Sequence, residues 1–190
     1  VIAKTYWAAI QGRKALKIDW DTKGFETFNS SDYEHKLRSL SKEEGILDKQ
    51  KGSVDLPVAQ LVESFYETPM VAHHPLEPMN CTVHVKGKKV EIWTSTQVPV
   101  SVTGPGMMGS MPALVGINPE DITLHAGFIG GGFGRRLYFD YIVEAINVAK
   151  QVDSPVKVVW SREDTTTQGP FRPMTFSKMI GGLSEKNQLV

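Results

Sequence analysis

Hydrophobic and polar positions recur with two different periods along this chain, and the switches between them mark its elements. Between Thr5 and Leu16 the apolar groups fall at Tyr6, Ala9, Ile10 and, less regularly, Leu16, a spacing that predicts a helix. Lys17-Ile18-Asp19-Trp20 then alternates as a short strand does, and Asp21 to Gly24 supplies turn residues. From Phe28 to Gly52 the chain is polar, with charges crowded between Lys36 and Lys51, which read as a solvated face. A helix is expected there over Ser31 to Leu40, opened by cap candidates in Ser30-Ser31-Asp32.

After Pro57 the period shortens. Gln60 to Glu67 alternates in part and predicts an entering strand. Thr82 to Val85 and Lys89 to Thr96 predict two more, hinged at Lys86-Gly87-Lys88 as a hairpin. Val102 to Met111, rich in Gly and Met, is expected to be loop passing into a helix over Met108 to Val115. Asp121 to Ile129 predicts a strand that runs directly into Gly130-Gly131-Gly132-Phe133-Gly134. The clearest helix follows: Tyr138, Ile142, Ala145, Ile146 and Ala149 form one continuous stripe. Asp153-Ser154-Pro155 ends it, and Val156 to Trp160 returns as a strand. The centre of the chain therefore reads strand, glycine loop, helix, strand, and the fold class is α+β with mixed sheets and packed helices.

Composition narrows the function classes. A chain of 190 residues with 41% hydrophobic content can bury one core, or two small ones side by side. With 21 basic against 21 acidic residues it lacks the basic excess of a nucleic-acid binder. No apolar stretch is long enough to span a bilayer. The single Cys81 cannot form an internal disulfide or hold an iron–sulfur cluster. Val1 opens the chain with no signal-peptide pattern, and the sequence reads as an internal fragment, so whether the parent is periplasmic or cytoplasmic stays open.

A strand ending in G-G-G-F-G and feeding a helix suits anion or polar-ring binding, because glycines let backbone N–H groups approach a ligand at a favourable dipole. Arg135 and Arg136 follow with further donors. The alternative is a structural glycine turn for tight strand–helix packing. The nucleotide signatures do not fit, since Arg135 stands where G-x-G-x-x-G needs glycine and no G-K-[ST] follows. His73, His74, Glu77, Cys81 and His84 include zinc-ligand types, but their spacing is not a zinc pattern and Pro75 and Pro78 break any shared helical face. They read better as a turn whose polar side chains satisfy buried groups. Met70, Met79, Met107, Met108 and Met111 offer a rival docking surface, although methionines near irregular segments are more often core filler.

Several motifs occur in order: H-H-P-L-E-P-M-N-C at 73–81, W-T-S-T-Q-V-P at 93–99, G-G-G-F-G-R-R at 130–136, V-K-V-V-W-S-R-E-D at 156–164 and F-R-P at 171–173. This succession resembles the molybdopterin-binding large subunits of the xanthine dehydrogenase and aldehyde oxidase family. E-P-M-N-C and the double arginine point to the isoquinoline 1-oxidoreductase beta-subunit group and its aldehyde-oxidising relatives. The resemblance implies that residues 1–55 are the tail of an α/β hammerhead domain with a linker, and that 56–190 begin the molybdenum-cofactor-binding domain.

It also implies a cofactor, molybdopterin cytosine dinucleotide carrying molybdenum, with no direct protein ligand to the metal. Gln97 matches the glutamine whose amide donates to a molybdenum oxygen, a donor that adds no charge. Gly134 would offer its backbone N–H to the oxo group and Phe133 would wall the substrate channel. Gly130, Gly131, Gly132 and Arg135 would lie along the pterin. The residue-level alternatives are a polar residue at a strand end for Gln97, a core aromatic for Phe133, and a surface ion pair for Arg136. Leu137 stands where purine-oxidising members carry a glutamate, which favours an N-heteroaromatic or aldehyde substrate. Arg172 falls one residue from another substrate-contacting arginine. The family's general base, a glutamate in a distant C-terminal glycine-rich loop, has no match after Gly182, so the fragment alone is expected to be inactive. A [2Fe–2S] small subunit is the implied electron partner, and relatives are often exported by the twin-arginine route.

Overall fold

The computed structural model describes residues 1–52, 58–106 and 109–190. Contacts divide the chain into two units, Val1–Pro57 and Val58–Val190. The first holds helices α1 (Tyr6–Ala15) and α2 (Ser30–Leu40). The Thr5 side chain caps α1 by accepting from Ala8 N at 3.2 Å, and Asn29, rather than the expected Ser30 cluster, caps α2 by accepting from Ser31 N at 2.8 Å. Neither helix buries a residue. The strand expected over 17–20 does not form. No described strand pairs with it, Ile18 and Trp20 are exposed, and one short alternating run without a ladder has nothing to hold it extended.

In the second unit, β1 (Gln60–Thr68) pairs antiparallel with β8 (Thr175–Leu183) as a two-stranded ribbon. The main sheet has the order β6-β3-β2-β7. Strands β2 (Asn80–Lys86) and β3 (Lys89–Thr94) form the expected hairpin around Gly87, whose φ is +58°. Strand β7 (Val156–Val159) lies antiparallel to β2, and β6 (Ile122–Ala126) lies parallel to β3. Between β3 and β6 the chain forms short helices α3 (Pro99–Thr103) and α4 (Met111–Val115), with a β4 (Pro105–Gly106) and β5 (Gly109–Ser110) pairing between them. Met107 and Met108, part of the expected loop-to-helix transition, lie outside the described residues.

Alternation along β3 buries Val90, Ile92 and Thr94 while turning Lys89, Glu91 and Trp93 outward, so the sheet has one dry face. Helix α5 (Asp140–Ala149) covers it with Tyr141, Ile142, Ala145, Ile146 and Ala149. The stripe is as expected except at its start. Tyr138 is extended and partly exposed, and Tyr141 takes its place in the core. Met79 and Met111 are fully buried in this core, which removes them from any docking surface. Cys81 is buried too, and burial pushes its thiol up to about 12.

Strand direction decides where the chemistry collects. The parallel strands β3 and β6 both end at one sheet edge, at Thr94 and Ala126. The antiparallel β2 begins at that edge with Asn80, and Val159, the end of β7, pairs with Asn80 there. The segments 73–79, 95–97, 127–137 and 160–168 are thereby brought to one edge. In open sheets the carboxyl ends of parallel strands are the usual place for ligand crevices. Strand β6 stops at Ala126, short of the expected Ile129, because β3 ends at Thr94, whose carbonyl takes Gly127 N at 3.1 Å as the last rung.

Candidate functional site

The glycine loop is shaped by backbone conformations that L residues avoid. Gly131 and Gly134 have φ of +93° and +94°, and Phe133 between them has φ of +51°. For a non-glycine residue this left-handed conformation costs roughly 1–2 kcal/mol, and such strain gathers at functional sites. The Arg172 guanidinium holds the Phe133 carbonyl at 2.9 Å, while the ring stands 61% exposed. Phe133 is therefore not the core aromatic of the alternative reading.

Two glycines are required by close approach. A Cβ on Gly132 would lie 2.3 Å from Gln97 Oε1, and one on Gly130 would lie 2.5 Å from Glu77 Cβ. Gln97 itself is fixed at two points. Its backbone N donates to Arg136 O at 3.1 Å, and its side-chain Oε1 accepts from Gly134 N at 3.1 Å. The Gly134 N–H, expected to face an oxygen of the cofactor, is thus engaged by Gln97. With its carbonyl end bound, the exposed amide has its –NH2 end left to donate.

The two arginines after the loop point away from a simple surface role. Arg135 is 1% exposed and forms a bidentate pair with Asp140 at 2.8 and 2.7 Å, with its guanidinium 5.3 Å from the Trp160 ring centre. Its Nε is buried without a partner among the described residues. The side chain expected along a pterin is therefore committed to the start of α5, and its backbone remains part of the loop turn through the 2.8 Å bond from Arg135 N to Gly132 O. Arg136 is fully buried, which corrects the surface reading. Its ion pair with Glu77 at 3.0 Å is internal, because the loop folds back beneath the 75–80 turn.

Glu77 is the acceptor centre of this turn. It receives Gly130 N at 2.8 Å, Asn80 Nδ2 at 2.8 Å and the Ser95 hydroxyl at 3.3 Å. Burial by itself raises its carboxyl pKa, but these donors and the Arg136 charge outweigh it and hold the group below the usual carboxylate range. His73 shifts downward for a different reason. Burial, then the Arg172 and Arg135 charges, disfavour its protonated form, outweighing the Pro170 carbonyl. Its Cδ2 and Nε2 would each lie 3.4 Å from a Cβ on Gly134.

Among the described residues no three His, Cys, Asp or Glu side chains gather where an ion could sit. The His73, His74, Glu77, Cys81, His84 group of the sequence does not converge: Glu77 is bound to Arg136, and Cys81 is inside the core. The zinc reading therefore has no geometry behind it. Arg162 stood in the sequence only as part of the 156–164 motif, with no role assigned; its guanidinium donates to Pro75 O at 2.7 Å and to Leu76 O. Sequence reasoning missed the helix carrying it, α6 (Arg162–Thr167), although S-R-E-D at 161–164 holds a legible capping box. Ser161 Oγ accepts from Asp164 N at 3.1 Å and Asp164 Oδ2 from Ser161 N at 3.0 Å.

Comparison with known proteins places the chain in a family. Residues 40–190 match the molybdopterin cofactor-binding domain family. The chain is 33% identical over 132 residues to the isoquinoline 1-oxidoreductase subunit beta of Brevundimonas diminuta, covering 68% of this chain and 16% of that one. It is 32% identical over 181 residues to a membrane-bound aldehyde dehydrogenase [pyrroloquinoline-quinone] of Gluconacetobacter polyoxogenes, covering 90% of this chain and 22% of that one. Quinoline 2-oxidoreductase from Pseudomonas putida 86 shares the fold at a TM-score of 0.57 and 16% identity, over 70% of this chain and 17% of that one. The aldehyde oxidoreductase of Desulfovibrio gigas does so at 0.54 and 18%, over 70% and 14%. The chain spans 16% to 22% of the length of these two curated relatives, so it corresponds to a segment of them. With four motif-bearing segments meeting at one sheet edge and the family match running from residue 40 to 190, the chain belongs to the molybdopterin cofactor-binding domain family.

Proposed function

We propose that this sheet edge is one part of the cofactor and substrate site of a molybdenum hydroxylase. The parent oxidoreductase hydroxylates an N-heteroaromatic ring or oxidises an aldehyde, with water as the oxygen source. The observation that carries this reading is the pairing of Gln97 with Gly134 N, which leaves a neutral amide donor beside a loop of backbone and glycine. The residues fit a flat organic group. Gly130 and Gly132 are packed directly against the Glu77 and Gln97 side chains, so the loop offers backbone and the Gln97 amide there, and the nearby carboxylate of Glu77 is occupied by its own donors. The chain brings no cluster of metal-ligating side chains, among the described residues, to compete with a metal carried on a pterin.

In this reading Gly130, Gly131 and Gly132 lie along the pterin of a molybdopterin cytosine dinucleotide, and Gly134 acts by orienting Gln97. Arg135 contributes its backbone to that loop. Gln97 Nε2 donates to an oxygen of the bound group, and Phe133, solvent-facing, forms a wall for an apolar substrate ring. When bound, the molybdenum group supplies the redox chemistry and the transfer of water-derived oxygen. Leu137, in the short turn before α5, supplies no carboxylate to read a purine. The general base comes from outside these residues, so the 190-residue chain alone does not turn over. An iron–sulfur subunit is the electron partner in this reading, and the buried Cys81 of these residues takes no part in that transfer. No helix of the described residues is long and apolar enough to cross a membrane.

The direct test is Gln97→Ala in the full-length protein. Loss of one preorganised donor lowers kcat by about 10²-fold, with bound molybdenum retained. Unchanged kcat in a molybdenum-loaded variant would contradict the role of Gln97.

A further inference from the structure

The H-H-P-L-E-P turn and the W-S-R-E-D segment have no part in the chemistry proposed above, yet they are joined by an unusual set of bonds. Two prolines make the 75–78 turn unable to satisfy itself by regular structure. Its four consecutive carbonyls are taken by side chains: Pro75 O and Leu76 O by Arg162, Glu77 O by Arg136 at 3.1 Å, and Pro78 O by Asn80 at 3.0 Å. His74, just before the turn, is held at φ of +46°.

The turn in turn grips the glycine loop. Glu77 N donates to Gly130 O at 3.1 Å while Gly130 N donates to the Glu77 carboxylate at 2.8 Å, a reciprocal pair that fixes the loop's first residue. Arg136 Nε donates to Gly131 O at 3.0 Å, and Arg136 O accepts from both Gln97 N and Thr96 Oγ1 at 3.1 Å. The loop is thus pinned at both ends, and Gly134 N is carried to the carbonyl of the Gln97 amide.

We propose that Arg162, Arg136 and Glu77 are positioning residues. By clamping the 75–78 turn they set the register in which Gly134 N binds Gln97 Oε1, so that the amide presents its –NH2 end to a ligand. A planar guanidinium fork suits Arg162 because it serves two adjacent carbonyls at once, which an ammonium does less well. The importance given to the Gln97 amide rests on the function proposed above, but the clamp itself belongs to the chain without cofactor.

The test is residue-resolved amide exchange and side-chain amide NMR on the cofactor-free full chain, comparing wild type with Arg162→Met and Arg162→Lys. In Arg162→Met, exchange at Gly130 and Gly134 rises at least about tenfold, the loss expected when charged donors are removed. The Gln97 –NH2 resonances shift, Val83 and Ile92 in the sheet keep their exchange rates, and Arg162→Lys falls between. Unchanged Gly134 exchange and an unmoved Gln97 signal would overturn the proposal. So would a rise shared equally by Val83 and Ile92, since that reports general destabilisation. Absence of molybdenum from the parent protein would instead sink the proposed function and leave this measurement as it stands.

Discussion

Two of the sheets in the second unit are made in opposite ways. The four-stranded sheet pairs β2, β3, β6 and β7 and buries one face under α5, with Val83, Ile92 and Ile146 fully enclosed. The β1–β8 ribbon pairs nine residues with nine, longer than any pairing in the main sheet, yet Leu61, Phe65, Met179 and Ile180 stand 55–63% exposed. Both satisfy their backbones through a ladder. Only the four-stranded sheet encloses a buried apolar core, each Å² removed from water contributing about 25 cal/mol, while the ribbon covers apolar surface only in part. The site lies at an edge of the buried sheet, where strained residues such as Phe133 can be held by packed neighbours.

The contrast breaks most sharply in the core. Ile146→Ala, which empties a fully buried position between helix and sheet, is expected to cost about 2–5 kcal/mol, read as a fall in the urea midpoint. Glu77→Ala comes next. It leaves Arg136, fully buried, without its carboxylate and is expected to cost about 2–3 kcal/mol, below the full penalty for a buried pair because Glu77 keeps 30% of its side chain in water. At the other extreme, Ile180→Ala in the ribbon is expected to change stability by less than about 0.5 kcal/mol in the same assay. An equal cost for the Ile180 and Ile146 variants would erase the distinction between the two sheets.

Acidification sharpens the comparison from a second side. Glu77 has a folded pKa below its ordinary 4.5, so the unfolded chain binds the proton first as pH falls. Its contribution is present above pH 4.5 and is lost as pH drops through the lower folded value. His73 also sits below its ordinary 6.5, so stability falls from pH 6.5 down toward its folded value, where the unfolded state alone is protonated. Both groups are at the glycine-loop edge. The protection factor of the Gly130 amide, its exchange rate measured against the intrinsic rate at the same pH, is therefore expected to fall on acidification before those of the β1–β8 ribbon do. The reverse order would contradict the assignment.

What the sequence disclosed follows the same divide. The stripe Ile142, Ala145, Ile146, Ala149 and the alternation of β3 were legible because burial writes a period into the residues. Strand β8, T-F-S-K-M-I-G-G-L, was not foreseen although its ribbon partner β1 was, since Gly181-Gly182 interrupt its own run and that partner lies more than a hundred residues away in the chain. The run at 17–20 misled for the converse reason, alternating with nothing to pair against. Gln97 and Gly130–Gly134 were singled out through motif order, and the structure brings them together in the Gln97 Oε1 to Gly134 N bond. The buried roles of Arg135 and Arg136 were not legible, because a sequence shows two cations but not the Asp140 and Glu77 carboxylates that fold against them.

The central claim is that this edge belongs to a molybdopterin site. It is tested most directly by metal and pterin analysis of the full-length protein purified without an affinity tag. The expected result is molybdenum and pterin in stoichiometric amounts, with both reduced in Gly132→Val, whose side chain would enter the space now held by Gln97. A protein that folds and carries zinc, or no molybdenum and no pterin at all, would contradict it.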